Sequence, residues 1–154
     1  MMCFKVVVLK TKKSNHILGF IASDHRGFLL KDYLKGKFPL IDLGTFDCEK
    51  IVDYPDYVKK LTKLVVKEKS MGIVICGTGI GVSIAANRAK GIRAGLCRSV
   101  DDAYMSRYHN NANVLALGAD VTNSKDAEKI AKKFFETQFS NEERHKRRIK
   151  KMDM

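Results

Sequence analysis

The sequence predicts an α/β protein, a Rossmann-like three-layer αβα sandwich on a five-stranded parallel sheet in the order 2-1-3-4-5. Two observations carry this. Short β-branched runs alternate with amphipathic stretches along the chain, and that alternation builds parallel sheets covered on both faces. The third run, Gly72-Ile73-Val74-Ile75-Cys76, passes directly into Gly77-Thr78-Gly79-Ile80-Gly81 and then a helix-like stretch. Such a strand–loop–helix junction is where parallel sheets place their ligands. A chain of 154 residues fits one domain with a real core. Residues 1–16 fall outside the alternation and read as an N-terminal extension or edge strand. Residues 17–154 read as a single domain ending in a basic helix.

The elements follow in order. Ile17 to Ser23 is an apolar first strand. Gly27 to Lys37 carries Phe28, Leu29, Tyr33 and Leu34 at helical spacing. Leu40 to Leu43 is a second strand, and Gly44 to Pro55 a loop. Asp56 to Lys69 sets Tyr57, Leu61, Leu64 and Val65 on one helical face. Met71 to Cys76 is the third strand, with a helix over Gly79–Arg88. Ile92 to Cys97 is a fourth strand, Val100 to Tyr108 a helix, and Val114 to Leu117 a fifth strand. Ser124 can cap a helix running to about Phe139. The last helix starts near Asn141, with Glu142 and Glu143 in its first turn.

Composition narrows the function. No apolar run reaches membrane-spanning length. Met1 to Leu9 is short and broken by Lys5, a poor secretory segment. Cys3, Cys48, Cys76 and Cys97 form no CxxC pair, so neither zinc nor a disulfide framework is expected, and a reducing cytoplasmic setting fits. The net charge of +12 is concentrated toward the end, in Arg144, Lys146, Arg147, Arg148, Lys150 and Lys151. It has three readings: a solvated basic face, small-phosphate binding, and attraction to nucleic acid. The third carries the least weight on charge alone, and nucleic acid is not an expected partner.

The Cys76 loop carries the chemistry. It lacks GK[ST] and spaces its glycines as Gly77-x-Gly79-x-Gly81, so it is no Walker loop and a poor dinucleotide fingerprint. A tight structural turn and an oxyanion cradle both remain, since free N–H groups at a helix start favour negative charge. Cys76 is either a buried small residue or a base or nucleophile favoured by that position. His109 is a helix C-terminal cap or a proton carrier. Asp24, in Asp24-His25-Arg26-Gly27 after the first strand, caps the next helix or faces ligand. Arg144 and Arg148, four apart, share one helical face, solvated or phosphate-binding.

Together these residues resemble the ribose-5-phosphate isomerase B family of sugar-phosphate isomerases over about residues 17–150. The matching stretches are Ser23 to Gly27, Asp42-Leu43-Gly44-Thr45, Asp53-Tyr54-Pro55, Ile75 to Gly81 with Ser83 to Asn87, and Gly91 to Ala94. They continue with Ser106-Arg107, His109-Asn110, Asn113 to Gly118, and Arg144-His145 with Arg148. The resemblance implies aldose–ketose isomerisation of ribose 5-phosphate and ribulose 5-phosphate in the pentose phosphate pathway, through an enediolate and without metal or cofactor. It implies Cys76 as base, Thr78 on the sugar, and His109 as ring opener. Gly77, Gly79, Ile80 and Gly81 would hold the developing oxyanion. Asp24, His25 and Tyr54 would contact sugar or phosphate, Asn110 would hold the substrate near the enediolate, and Arg144 and Arg148 would clamp the phosphate. It further implies a homodimer, or dimer of dimers, whose sites draw Cys76 and Asp24 from one chain and His109 and the arginines from the other.

One position departs from the family pattern. After Leu117-Gly118-Ala119 the family commonly has an arginine near the phosphate, and this chain has Asp120. A carboxylate there repels phosphate unless it turns away or pairs with a cation. Pairing with Arg98, Arg144 or Arg147 is the expectation. A six-carbon sugar phosphate such as allose or galactose 6-phosphate is the alternative substrate. A polyanion-binding protein on the same fold is the alternative of a different class.

Overall fold

The structure, a computed structural model, describes residues 17–153. The extension expected over residues 1–16 lies outside the described residues. The strands are β1 (Gly19–Ser23), β2 (Leu40–Asp42), β3 (Met71–Cys76), β4 (Ala94–Leu96) and β5 (Val114–Gly118). The helices are α1 (Phe28–Lys37), α2 (Tyr54–Lys67), α3 (Ile80–Asn87), α4 (Val100–Asn110), α5 (Ser124–Glu136) and α6 (Glu143–Met152).

All four strand pairings are parallel. The order is β2-β1-β3-β5-β4, which corrects the expected 2-1-3-4-5 at one edge. The reason lies in the two strands. Val114-Leu115-Ala116-Leu117-Gly118 is buried at every position, as a central parallel strand must be. β4 is three half-buried residues, suited to the rim. The reversal of strand order between β1 and β3 stands as expected, so the loops after these two strands still flank the crevice.

Alternation along β3 divides the core. Ile73 and Ile75 pack with Ile21, Leu34, Leu115, Leu117 and Phe134 on the face covered by α1, α4 and α5. Val74 and Cys76 pack with Ala22, Leu61, Val82 and Ala116 on the face covered by α2 and α3. α2 buries Val58, Leu61, Thr62 and Val65, and α5 buries Ala127, Ile130, Ala131 and Phe134. Both sets follow the spacing of one helical stripe. α1 buries Leu30 and Leu34, whereas Leu29, expected inside, is exposed.

Several boundaries move by two or three residues, among them the starts of β1, β4 and α6 and the ends of α2 and α4. α2 begins at Tyr54, because Pro55 is pre-set for a first helical turn. α5 is capped by Asn123, whose side chain accepts from the Asp126 N–H, and ends at Glu136.

A buried charge ties α1 to β2. Lys31 is 1% exposed and its Nζ lies 2.6 Å from Asp42 Oδ2. Burial by itself would raise the Asp42 carboxyl. The Lys31 ammonium and the Gly44 N–H outweigh it, with Lys35 adding, and hold the carboxyl below its ordinary range. Removing one partner of a buried pair strands the other charge. Asp42→Ala is therefore expected to lower the unfolding free energy by about 3–5 kcal/mol in urea at neutral pH. Lys31→Met in the same background is expected to recover part of that loss.

Candidate active site

Cys76 ends β3 on the α2/α3 face and is buried. The chain then turns back over its own thiol, and the Gly79 N–H donates to Cys76 Sγ at 3.2 Å. Gly79 makes this turn possible, with φ of +78° and a would-be Cβ 2.8 Å from the Leu117 carbonyl carbon. Any other residue would be strained and would clash with β5. α3 starts at the next residue, so its first N–H groups and its positive end face the same place. The exposed Thr78 accepts from the Ile80 N–H through Oγ1 at 3.3 Å. Tyr54, in the first turn of α2, closes the side of the loop: a Cβ on Gly81 would fall 2.6 Å from its hydroxyl.

The β1–α1 loop forms the facing wall. Asp24 is buried and its Oδ1 accepts from the Gly27 N–H at 3.0 Å, while its own N–H donates to the Ile75 carbonyl at 3.2 Å. Asp24 thus ties the loop back on itself and does not cap α1, whose N-cap is Gly27 with no side-chain cap bond, and its place next to β3 keeps it at the crevice. His25 Nδ1 accepts from the Val52 N–H at 3.3 Å, which leaves the neutral ring's proton on Nε2. Cys76, Thr78, Asp24, His25, Tyr54, Gly77, Gly79, Ile80 and Gly81 therefore gather at the carboxyl edge of the sheet.

The remaining expected residues do not join them within one chain. α4 leaves the carboxyl end of β4 and returns to the amino end of β5, so His109 and Asn110, in its last turn, lie at the opposite edge. Val114 to Gly118 alone separates these edges by about 13 Å at ~3.3 Å per residue. α6 lies with His109: Ser140 N–H donates to the Tyr108 carbonyl at 3.0 Å, and the His145 and His109 rings are 4.5 Å apart. Arg144 and Arg148 are exposed on α6, with Arg144 Nε 2.7 Å from Glu142 Oε2.

Two partners escaped the sequence reading. Asp120 pairs with Arg26, not with Arg98, Arg144 or Arg147. With β5 beside β3, the Ala119 and Asp120 N–H groups bond the Cys76 and Gly77 carbonyls, which sets Asp120 next to the β1–α1 loop. His145 stands inside α6, 2% exposed, its Nδ1 2.6 Å from Ser140 Oγ. Its spacing of four from the apolar Ile149 was the available signal.

Among the described residues no group of three or more His, Cys, Asp or Glu is arranged to hold a metal ion, and no helix is long and apolar enough to cross a membrane. The arrangement is a parallel α/β protein that sets a thiol and a ring of backbone donors at a switch-point crevice, suited to proton transfer beside a developing oxyanion. The family model described as Ribose/Galactose Isomerase matches residues 20–152, and the chain belongs to that family. It is 39% identical to ribose-5-phosphate isomerase B of Escherichia coli (strain K12), over 82% of this chain and 87% of that one. A solved ribose 5-phosphate isomerase from Thermotoga maritima is 43% identical with a TM-score of 0.85, covering 90% of this chain and 98% of its own. Ribose-5-phosphate isomerase B from Mycoplasma genitalium with bound ribulose-5-phosphate is 38% identical with a TM-score of 0.83, covering 90% and 96%.

His145 gives this region a pH response. Burial pushes its imidazole below the ordinary value; Glu142 acts the other way, and the charges of His109, Arg144 and Arg148 add to the lowering. A group depressed in the fold stabilises it above the unfolded pKa of about 6.5, and the contribution is lost as pH falls below that. Stability is expected to decline on acidification from about pH 6.5. His145→Gln is expected to flatten that slope in urea titrations at stepped pH.

Proposed function

We propose that this chain interconverts ribose 5-phosphate and ribulose 5-phosphate through an enediolate. The observation that carries the reading is the Cys76 thiol receiving the Gly79 N–H under the start of α3. The likeness to an isomerase solved with ribulose-5-phosphate supports the substrate. Cys76 takes the proton from C2 and returns it at C1. The loop's N–H groups other than those of Gly79 and Ile80, which bond Cys76 Sγ and Thr78 Oγ1, hold the oxygen that gains charge, stabilising the transition state more than the bound sugar. Thr78 and Asp24 orient the hydroxyls, with His25 and Tyr54 at the crevice walls.

The working unit we propose is a homodimer in the cytoplasm. Its support is the separation of Cys76 from His109 across the sheet, which one chain cannot close. A second copy would bring His109 to open the sugar ring, Asn110 to the enediolate, and Arg144 and Arg148 to the phosphate. Ile80 and Ile84, one helical turn apart on α3, are 45% and 62% exposed beside the loop, an apolar strip suited to a second copy. The free thiols Cys48, Cys76 and Cys97 suit a reducing compartment.

Cys76→Ala is expected to fold, by circular dichroism, and to lose about 10²–10⁴-fold in turnover with ribose 5-phosphate. Near wild-type turnover would remove Cys76 from the base role. Cys76→Ala and His109→Ala homodimers are each expected to be weak, and exchange of subunits between them to restore activity, since one hybrid site regains both groups. No recovery after demonstrated exchange would refute the shared site. Arg144→Ala or Arg148→Ala is expected to raise KM about ten- to a hundredfold, the size of a charge-assisted hydrogen bond.

A further inference from the structure

Asp120 and Arg26 meet across the mouth of the Cys76 loop although they lie 94 residues apart in sequence. We propose that Arg26 is a further binding residue of this site, a guanidinium held by Asp120 to bind the phosphate of the substrate at the loop's mouth. The proposal rests on the reading of the loop as a sugar-phosphate cradle.

Position is the first argument. A Cβ on Gly77 would fall 2.6 Å from Asp120 Oδ2 and 2.8 Å from Arg26 Nε, so both groups lie directly against the cradle backbone. Neither anchor is loose. The Asp120 N–H donates to the Gly77 carbonyl at 2.9 Å, and the Ala119 N–H to the Cys76 carbonyl at 2.9 Å. Arg26 is bracketed by His25, which accepts from Val52, and by Gly27, which donates to Asp24.

Availability is the second. Among the described residues, the only hydrogen bond of the Arg26 side chain runs from Nη2 to Asp120. A guanidinium has five N–H donors in a planar fork that matches a phosphate edge. The unused donors include Nε, beside Gly77. The Arg26 side chain is 60% exposed, so an incoming anion reaches it without moving the core.

Charge is the third. A free carboxylate at this place would oppose a phosphate dianion, and pairing with Arg26 cancels that charge. An ion pair this exposed contributes little to folding. The arrangement therefore serves the mouth of the loop, where Asp120 holds through Nη2 a cation that the β1–α1 loop supplies.

The test is steady-state kinetics with ribose 5-phosphate, and competitive inhibition by inorganic phosphate, for wild type, Arg26→Ala, Arg26→Lys, Asp120→Asn and Arg26→Ala/Asp120→Asn. Melting temperature serves as the folding control. Arg26→Ala should raise KM and the phosphate inhibition constant about ten- to a hundredfold, with kcat within about threefold. Arg26→Lys should recover only part, because it keeps the charge and loses the fork. Asp120→Asn should raise KM several-fold alone and add nothing once Arg26 is gone, the mark of a residue acting through another. Unchanged KM and inhibition constant in folded Arg26→Ala would overturn the proposal while leaving the isomerase reading intact. A fall of KM in Asp120→Asn, whether or not Arg26 is present, would also overturn it, since Asp120 would then merely repel. If wild type does not turn over ribose 5-phosphate, the isomerase reading fails by itself. Arg26 is then judged on phosphate-induced stabilisation: its loss in Arg26→Ala supports the anion site, and its persistence overturns it.

Discussion

The hydrogen-bonded junction between the ends of β3 and β5 governs the candidate site. Cys76 is registered on Gly118, and the ladder continues past the strands through Ala119 to Cys76 and Asp120 to Gly77. This fixes the backbone from which the loop must fold over the thiol. It leaves so little space that Gly79 stands against the Leu117 carbonyl. It also delivers Asp120 to the loop's mouth. Had β4 been β3's neighbour, the loop starting at Cys97-Arg98 would stand there, and both the charge and the shape of the mouth would differ.

The second constraint is directional. In a parallel sheet each connecting helix runs back against the strands, so the end of a helix and the end of a strand face opposite ways. Cys76 and His109 are separated by that rule and not by accident of packing. The His109 side is organised in its own right. His145 sits against it within the chain, held by Ser140, while Arg93 near the start of β4 binds Asp153 at the end of α6 at 2.8 Å. Two half-assemblies thus stand on opposite edges of one sheet, and the proposed homodimer rests on that separation.

The basic excess is not uniform in function. Lys31 is consumed in a buried pair with Asp42, and Arg107 is spent inside on the Ala112 and Thr137 carbonyls. Arg26 is engaged with Asp120. Arg148 and Arg147 stay exposed on α6. Net charge therefore says little about binding until each cation's partner is known.

The strands, the helices and the Cys76 loop were legible in the sequence because each depends on local spacing. Apolar runs mark strands, stripes of period near four mark α2 and α5, and glycines mark the turn over Cys76, where Gly79 takes a positive φ. Pro55 likewise signals the start of α2, which falls at Tyr54, two residues before the expected Asp56. The order of β4 and β5 was less accessible, since it depends on which strand is buried on both faces, a property of neighbours. The Arg26–Asp120 and His109–His145 contacts were hidden for the same reason. Sequence alone determined which chemical groups this protein carries and which elements bear them. Tertiary structure decided which groups meet, because a contact between distant segments is set by the register of the sheet and the return path of each helix, and neither is written in local spacing.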